Sequence, residues 1–123
     1  MKVIILDDDK FLLDLYLSKF KNAGVEAEAY DSGEKLLKRL KEGEKSDLIL
    51  LDIIIPGMTG LDTLTEIRKQ KLIPEAKVVM LTNQGEGEDM EKAKSLGVDG
   101  YIIKASATPS EVVEQALAIV NKN

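Results

Sequence analysis

Short apolar runs and longer amphipathic stretches alternate along the chain. Val3–Leu6, Leu48–Leu51 and Val78–Leu81 are each four consecutive apolar residues, which is typical of strands buried on both faces of a parallel sheet. Between these runs, apolar residues recur at the spacing of an α-helix. The alternation predicts an α/β fold in which helices connect parallel strands by right-handed crossovers.

Capping residues predict where several helices begin. Residues 9–23 have helical spacing, and Asp9 is predicted to be the N-cap because its carboxylate can accept a hydrogen bond from a backbone N–H. Asp31 is predicted to cap the second helix, with Glu34 three residues further on. The segment 108–111, Thr-Pro-Ser-Glu, is a capping box with proline at the first helical position, which predicts the start of the last helix.

The remaining elements complete a regular pattern. Val25–Tyr30 alternates apolar and charged residues, as an edge strand covered on one face does. Apolar positions predict helices over Leu61–Ile67 and Met90–Leu96, and Tyr101–Ile103 is the last strand. Five strands therefore alternate with five helices, and we expect one domain over residues 1–123 with no output domain in this chain.

Composition limits the chemistry that the domain can perform. The 123 residues include no cysteine and no histidine, so disulfides, thiolate catalysis and the usual zinc ligands are excluded. Any bound metal then requires oxygen ligands. The net charge of −5 without a dense basic run argues against direct nucleic-acid binding. With no apolar run of membrane-spanning length and no secretory signal, we expect no membrane association and a cytoplasmic location.

Polar side chains follow four of the predicted strands. Asp7 and Asp8 leave the first, Asp52 the third, Thr82 the fourth and Lys104 the fifth. Ligands bind beyond the carboxyl ends of such strands. If the first and third strands are neighbours, the carboxylates of Asp7 or Asp8 and of Asp52 come within a few ångströms of each other and repel. This arrangement predicts that they share a Mg²⁺ or Mn²⁺ ion. A lysine and a hydroxyl beside that ion suit a phosphoryl group, which a carboxylate can accept as a nucleophile.

The residues at these strand ends form a set of motifs. They read "VIILDDD" with Asp7 and Asp8, "LILLDIIIPGMTG" with Asp52, "VVMLTN" with Thr82 and "GYIIKAS" with Lys104. This set resembles the receiver domain of bacterial response regulators over essentially the whole chain. The resemblance implies a flavodoxin-like, doubly wound fold with strand order 2-1-3-4-5 and helices on both faces of the sheet.

The resemblance also implies a role for each acidic residue. Asp52 would accept a phosphoryl group from a phosphohistidine on a histidine kinase or a phosphotransfer protein. Asp8 and Asp52 would bind Mg²⁺ directly, and Asp7 would act partly through water. The backbone carbonyl of Ile54 would complete the protein ligands.

By the same resemblance, Thr82 and Lys104 would bind phosphoryl oxygens. Tyr101 would be the switch aromatic that turns inward when Thr82 moves toward the phosphate. An output protein of unknown identity would read the face formed by the fourth helix, the fifth strand and the fifth helix. The segment 82–89, "TNQGEGED", has two glycines and is the predicted moving part.

Three residues depart from the family pattern. Ala105 stands where a proline usually follows the lysine, often after a cis bond, which leaves the geometry of the Lys104–Ala105 bond open. Asn83 replaces a small residue and is expected to narrow access to Asp52. The apolar side chain of Ile54 cannot orient an attacking water, which predicts slow self-dephosphorylation.

The first helix has more apolar residues than one face requires. The stripe that we expect to face the core consists of Leu12, Leu15, Tyr16 and Phe20. Leu13 and Leu17 lie beside it, and the family register would point them outward. We therefore hypothesise that Leu13 and Leu17 form a docking surface for a partner protein.

Two alternative functions remain open from the sequence. "ILDDDK" loosely matches the motif of haloacid-dehalogenase-like phosphatases, with Asp7 as nucleophile and Asp9 as acid, although Phe11 departs from that motif. The chain is also compatible with a receiver-like domain that is not phosphorylated, although the set of Asp52, Thr82 and Lys104 is complete.

Overall fold

A five-stranded parallel sheet, with strands in the order β2-β1-β3-β4-β5, forms the centre of the molecule. The computed structural model describes residues 1–83 and 87–121. The predicted strand order and α/β class are confirmed. The elements are β1 (Lys2–Leu6), α1 (Lys10–Asn22), β2 (Glu26–Tyr30), α2 (Gly33–Lys41), β3 (Leu48–Asp52), α3 (Gly60–Lys69), β4 (Lys77–Thr82), α4 (Glu88–Ser95), β5 (Gly100–Ile103), a 3₁₀ turn (Lys104–Ser106) and α5 (Pro109–Asn121).

The apolar runs are continuous because helices cover both faces of the sheet. In β1, Ile4 and Leu6 pack into a core shared with α2, α3 and α4, whereas Val3 and Ile5 pack against α1 and α5. Every residue of β3 is buried. A strand that contacts two cores needs apolar side chains at odd and even positions alike. Strands β1 and β3 are neighbours at the centre, and this places the two acidic segments that follow them side by side.

Two of the three predicted helix caps are confirmed. Asp9 caps α1 by accepting a hydrogen bond from the Leu12 amide at 3.1 Å. Thr108 and Glu111 form the reciprocal capping box of α5, with bonds of 3.0 and 3.1 Å. The prediction that Asp31 caps α2 was wrong.

The hydroxyl of Ser32 caps α2 instead, accepting from the Lys35 amide at 3.2 Å. Asp31 lies one residue too early and pairs with the Lys35 ammonium at 2.9 Å. Aspartate and serine are both good N-cap residues, so adjacent candidates are not separated by their chemistry alone.

The outward orientation predicted for Leu13 was also wrong. Leu13 is buried, and with Tyr16 and Phe20 it forms the face of α1 that packs on the sheet. Leu17 is half-buried at the edge of the same core. The large apolar side chain that α1 exposes is Phe11, which is 73% accessible. The docking surface hypothesised for Leu13 is therefore not proposed further.

Peptide-bond geometry and helix length answer two further questions about the fold. All peptide bonds of residues 1–83 and 87–121 are trans, including the bond between Lys104 and Ala105. None of the helices in these residues is long and apolar enough to cross a membrane.

Candidate functional site

Three aspartates meet at the carboxyl edge of the sheet. Asp7 and Asp8 directly follow β1, Asp52 is the last residue of β3, and Leu6 pairs with Leu51 in the register of these two strands. One carboxylate oxygen from each aspartate lies within 4.8 Å of the others. Asp7 and Asp52 are buried, and Asp8 is exposed. The carboxylate cluster predicted from the sequence is therefore present.

Lys104 connects the two buried aspartates. It begins the 3₁₀ turn after β5, and its Nζ donates to Asp7 Oδ2 at 2.7 Å and to Asp52 Oδ2 at 3.0 Å. The second oxygen of each carboxylate accepts a backbone N–H, from Asp9 at 2.9 Å and from Ile54 at 3.2 Å. All four carboxylate oxygens of the pair are thus held by defined donors, which fixes the orientation of both side chains.

The electrostatics of the site are dominated by burial. The pKa of Asp52 is raised from its ordinary value to about 6, chiefly by burial and also by the nearby charge of Asp7, while Lys104 and the Ile54 amide oppose the shift. Burial alone would lower the pKa of Lys104, but Asp7 and Asp52 outweigh it, so the pKa is raised and the lysine stays charged. One ammonium group therefore does not fully offset the crowded acids.

A cavity of about 340 Å³ opens above these groups. We call it the acidic pocket and define it by Asp7, Asp8, Asp52 and Lys104. Its polar floor is open to solvent at one side, because Asp8 is exposed. It is also lined by Asp9, Leu12, Tyr16, Ile54, Asn83 and Ala107.

The remaining predicted residues lie around the acidic pocket. Ile54 is 64% accessible and projects an apolar side chain at its mouth, and Asn83 lines its wall. Thr82 is buried at the end of β4. Tyr101 is half-buried in β5, and its hydroxyl donates to the Met90 carbonyl of α4 at 3.4 Å. The switch roles of Thr82 and Tyr101 stay predictions, and part of the proposed moving segment, residues 84–86, lies outside the described residues.

Gly60 fixes the backbone beneath Asp52. The amide of Gly60 donates to the Ile53 carbonyl at 3.0 Å, and α3 then begins with a capping box between Thr59 and Asp62. A Cβ atom added to Gly60 would collide with the Asp52 carbonyl oxygen. Only glycine therefore allows the first turn of α3 to lie directly against the end of β3.

The donor set of the acidic pocket fits Mg²⁺. Oxygen ligands on opposite sides of a magnesium ion are about 4.2 Å apart, because each bond is about 2.1 Å. The three carboxylate oxygens all lie within 4.8 Å of one another, so small side-chain movements would bring them to these distances. The solvent-exposed side of the pocket leaves room for the water ligands that magnesium usually keeps.

Sequence reasoning missed two residues of this site. Gly60 was noted only as part of a motif, because its contact with Asp52 depends on how α3 packs. Tyr16 was assigned to the core stripe of α1, yet it also lines the acidic pocket. A signal was available for Tyr16, since a helical side chain points back toward the helix N-terminus and Tyr16 lies fewer than two turns from it.

Comparison with known proteins agrees with this fold. The family model described as the response regulator receiver domain matches residues 3–116. The alkaline phosphatase synthesis transcriptional regulatory protein PhoP of Bacillus subtilis is 31% identical over 122 residues, covering 99% of this chain and 49% of that protein.

Solved structures give the same result. A CheY-like receiver domain protein from Methanospirillum hungatei matches with a TM-score of 0.86 at 28% identity, covering 98% of this chain and 93% of the other. A DNA-binding response regulator of the LuxR family from Staphylococcus aureus matches with a TM-score of 0.83 at 34% identity, covering 98% of both chains.

The chain belongs to the response-regulator receiver domain family, whose members are typically phosphorylated on an aspartate in two-component signalling. It spans about half the length of the curated relatives that it matches. The family match favours the receiver domain over the phosphatase alternative, whose supposed acid, Asp9, caps α1.

Proposed function

We propose that Asp52 is the phosphoacceptor of this receiver domain and that a phosphohistidine on a histidine kinase or a phosphotransfer protein is the donor. The observation that carries the proposal is the shared contact of Lys104 with Asp7 and Asp52 at the carboxyl edge of the sheet. This contact brings a buried carboxylate and a cation together with two further carboxylates in one pocket that is open to solvent, which supports the proposal.

The transfer is a substitution at phosphorus. A carboxylate oxygen of Asp52 attacks the phosphorus atom, a P–O bond forms, and the P–N bond to the donor imidazole breaks. The electron pair of that bond remains on the imidazole nitrogen, which takes up a proton. Because this chain has no histidine, the imidazole belongs to the partner.

Each residue of the acidic pocket has a defined task in this step. The Ile54 amide holds one oxygen of Asp52 and leaves the other directed at Lys104. Lys104 is able to transfer its hydrogen bond from Asp52 to a phosphoryl oxygen, because its ammonium group has three donors. Thr82 would donate its hydroxyl to another phosphoryl oxygen.

Magnesium would be held by Asp8 and Asp52 directly, by Asp7 partly through water and by the Ile54 carbonyl. When bound, the ion supplies positive charge that offsets the repulsion between the acids and the charge of the phosphoryl group. Manganese has similar ligand preferences and would substitute for it.

Phosphorylation would then alter the surface that a partner reads. A phosphoryl group adds about −1.5 to −2 charges at neutral pH. Thr82 is buried beside the site, and Tyr101 in the neighbouring strand contacts α4 through Met90. Movement of Thr82 toward the phosphoryl group would release space for Tyr101 and change the face formed by α4, β5 and α5, which an output protein of unknown identity would recognise.

The experiment is phosphorylation by acetyl phosphate with Mg²⁺, followed by intact mass spectrometry and peptide mapping. We expect the mass of one phosphoryl group, located on Asp52, and no gain without Mg²⁺ or in Asp52→Asn. The matched control is Asp47→Asn, because Asp47 is exposed at the opposite end of the sheet, where it accepts the Lys2 amide.

Two results would contradict the proposal. A label on Asp7 would favour phosphatase-like chemistry. A wild-type protein that gains no phosphoryl group at saturating Mg²⁺ would be a receiver-like domain that is not phosphorylated.

A further inference from the structure

Tyr16 combines deep burial with a polar group that faces the acidic pocket. Its side chain is 2% accessible, and its ring packs in the core between α1, α5 and the sheet. At the same time Tyr16 lines the cavity above Asp7 and Asp52. The ring of Tyr16 is thus part of the hydrophobic core, while its hydroxyl end lies at the acidic pocket.

The hydroxyl of Tyr16 differs from those of the other two tyrosines. Tyr30 donates to Glu28 at 2.7 Å, and Tyr101 donates to the Met90 carbonyl at 3.4 Å. Among residues 1–83 and 87–121, the Tyr16 hydroxyl has no such partner, although every fully buried side-chain oxygen and nitrogen of that part of the chain has one. The small accessible area of Tyr16 therefore lies at its hydroxyl and opens into the acidic pocket.

A core that needed only an aromatic ring at this position would be filled equally well by phenylalanine. A phenol hydroxyl placed in a mostly buried site costs free energy unless it finds a hydrogen-bond partner. Burial raises the pKa of the Tyr16 phenol, and the charge of Lys104 opposes this rise. The ammonium group of Lys104 has three N–H donors and uses two of them on these aspartates.

We propose that Tyr16 is a positioning residue for Lys104, whose free N–H the Tyr16 hydroxyl accepts when Lys104 turns from the aspartates to the phosphoryl group. This inference rests on the proposed phosphorylation of Asp52. The hydroxyl then holds the ammonium over the pocket at the moment when its contacts with Asp7 and Asp52 are exchanged. Tyr16 touches neither the donor nor the reacting atoms, and it acts through Lys104.

The test compares Tyr16→Phe with the matched control Tyr30→Phe, which removes a hydroxyl on the other side of the sheet. With acetyl phosphate and Mg²⁺, we expect phosphorylation of Asp52 to slow about tenfold in Tyr16→Phe, the loss typical of a hydrogen bond to a charged group. Tyr30→Phe should match the wild type in this rate. Tyr16→Phe should be at least as stable as the wild type in thermal unfolding, because the ring and its packing are retained and an unpaired hydroxyl is removed.

Two further readouts distinguish positioning from packing. In a Lys104→Met background, Tyr16→Phe should have no additional effect on the rate, because the group through which Tyr16 acts is gone. In a titration with Mg²⁺ alone, the ultraviolet difference spectrum of tyrosine should change in the wild type and in Tyr30→Phe, but not in Tyr16→Phe.

Several outcomes would overturn the inference. Equal phosphorylation rates for the wild type and Tyr16→Phe would overturn it while leaving the phosphorylation of Asp52 intact. A slower rate accompanied by lower thermal stability, or a full tenfold effect that persists without Lys104, would assign Tyr16 to packing. A wild type that gains no phosphoryl group would overturn both this inference and the proposed function.

Discussion

Two lysines at opposite ends of the sheet each donate hydrogen bonds to two carboxylates. Lys104 bridges Asp7 and Asp52 in the acidic pocket, with side chains that are at most 10% accessible. At the amino end of β1, Lys2 pairs with Glu28 and Glu44, with side chains that are 18–33% accessible. We call the second group the Lys2 cluster. The two arrangements share the same chemistry and differ in burial.

Burial reverses the effect of the same contact. In the Lys2 cluster, the hydroxyl of Tyr30 and the ammonium of Lys2 lower the pKa of Glu28, so its charge is stabilised. In the acidic pocket, burial raises the pKa of Asp52 to about 6 in spite of Lys104. Water solvates the charges of the Lys2 cluster. The buried charges of the acidic pocket lack this solvation, so the pocket favours binding an additional proton or cation. The same kind of ion pair therefore accompanies a lowered carboxyl pKa where solvent reaches it and a raised pKa where the carboxyl group is buried.

Replacing the bridging lysine should have the largest effect. In Lys104→Met, phosphorylation by acetyl phosphate should slow about 100-fold, because a charged donor to the phosphoryl group is lost. Apparent Mg²⁺ affinity should rise, since a competing positive charge leaves the carboxylates. Isothermal titration and single-turnover mass spectrometry measure the two effects separately. Weaker Mg²⁺ binding together with slower phosphorylation would mean that Lys104 organises the metal site instead of competing with it.

Stability and Mg²⁺ binding at the acidic pocket should depend on pH near pH 6, whereas the Lys2 cluster should not contribute to this dependence. Asp52 has a folded-state pKa of about 6, above its ordinary value of about 3.9, so its protonated form is favoured by folding. Its contribution to stability is present below about pH 4 and is lost as the pH rises through 6. Because Mg²⁺ requires the ionised form, its affinity should fall about tenfold per unit below pH 6.

Titration of Mg²⁺ at pH 5, 6 and 7.5 checks this pH dependence. Glu28→Gln, in the Lys2 cluster, should leave the profile unchanged. An affinity that stays constant between pH 5 and 7.5 would show that Asp52 remains ionised in spite of its burial.

The glycine beneath Asp52 should be sensitive to a single methyl group. In Gly60→Ala, the first turn of α3 must move away from the Asp52 carbonyl, which should cost about 1–3 kcal/mol in the free energy of unfolding. The displaced carboxylate should be phosphorylated about tenfold more slowly. Urea denaturation and the mass assay measure the two effects.

Gly43→Ala is the control for this substitution. Gly43 has a φ of 99° and open space around it, so alanine there should cost about 1 kcal/mol through backbone strain alone. Its phosphorylation rate should remain that of the wild type. Unchanged phosphorylation in Gly60→Ala would mean that the position of Asp52 does not depend on its contact with α3.

The mouth of the acidic pocket should control the lifetime of the phosphorylated state. Ile54 is largely exposed beside Asp52 and has no polar atom in its side chain with which to orient a water molecule. Ile54→Asn should therefore shorten the lifetime of phospho-Asp52 several-fold, as measured by loss of the mass gain after the donor is removed. A lifetime unaffected by this substitution would refute the role of Ile54, and Ile54→Val should retain the wild-type lifetime.

The smallest effect is expected at the Lys2 cluster. Lys2→Met should reduce the free energy of unfolding by about 0–1 kcal/mol, because partly solvated ion pairs contribute little. Added salt should diminish the difference from the wild type. Phosphorylation and Mg²⁺ binding should not change. A loss as large as that of Gly60→Ala, or any change in Mg²⁺ affinity, would contradict the contrast between the two ends of the sheet.

The errors in the sequence-based prediction have physical causes. Apolar positions on α1 formed two adjacent stripes, and the spacing did not show that Leu13 belongs to the buried one, because the rotation of the helix is set by packing on the sheet. For a similar reason Ser32, and not Asp31, is the N-cap of α2. The conformation of the loop before the helix decides at which of two adjacent residues the helix begins. Tyr16 lies both in the core and at the acidic pocket, and its place in the apolar stripe of α1 indicated only the core.

The amino-acid sequence by itself determined the succession of strands and helices, the oxygen-only chemistry and the strand ends from which the polar groups emerge. These features depend on hydrophobic periodicity, capping and residue type, which are local properties. The tertiary structure decided which acids share Lys104, how far the pKa of Asp52 rises and which hydroxyl faces the pocket. Asp7 and Lys104 are 97 positions apart in the chain, and only the packed sheet sets the distance and the burial that govern their interaction.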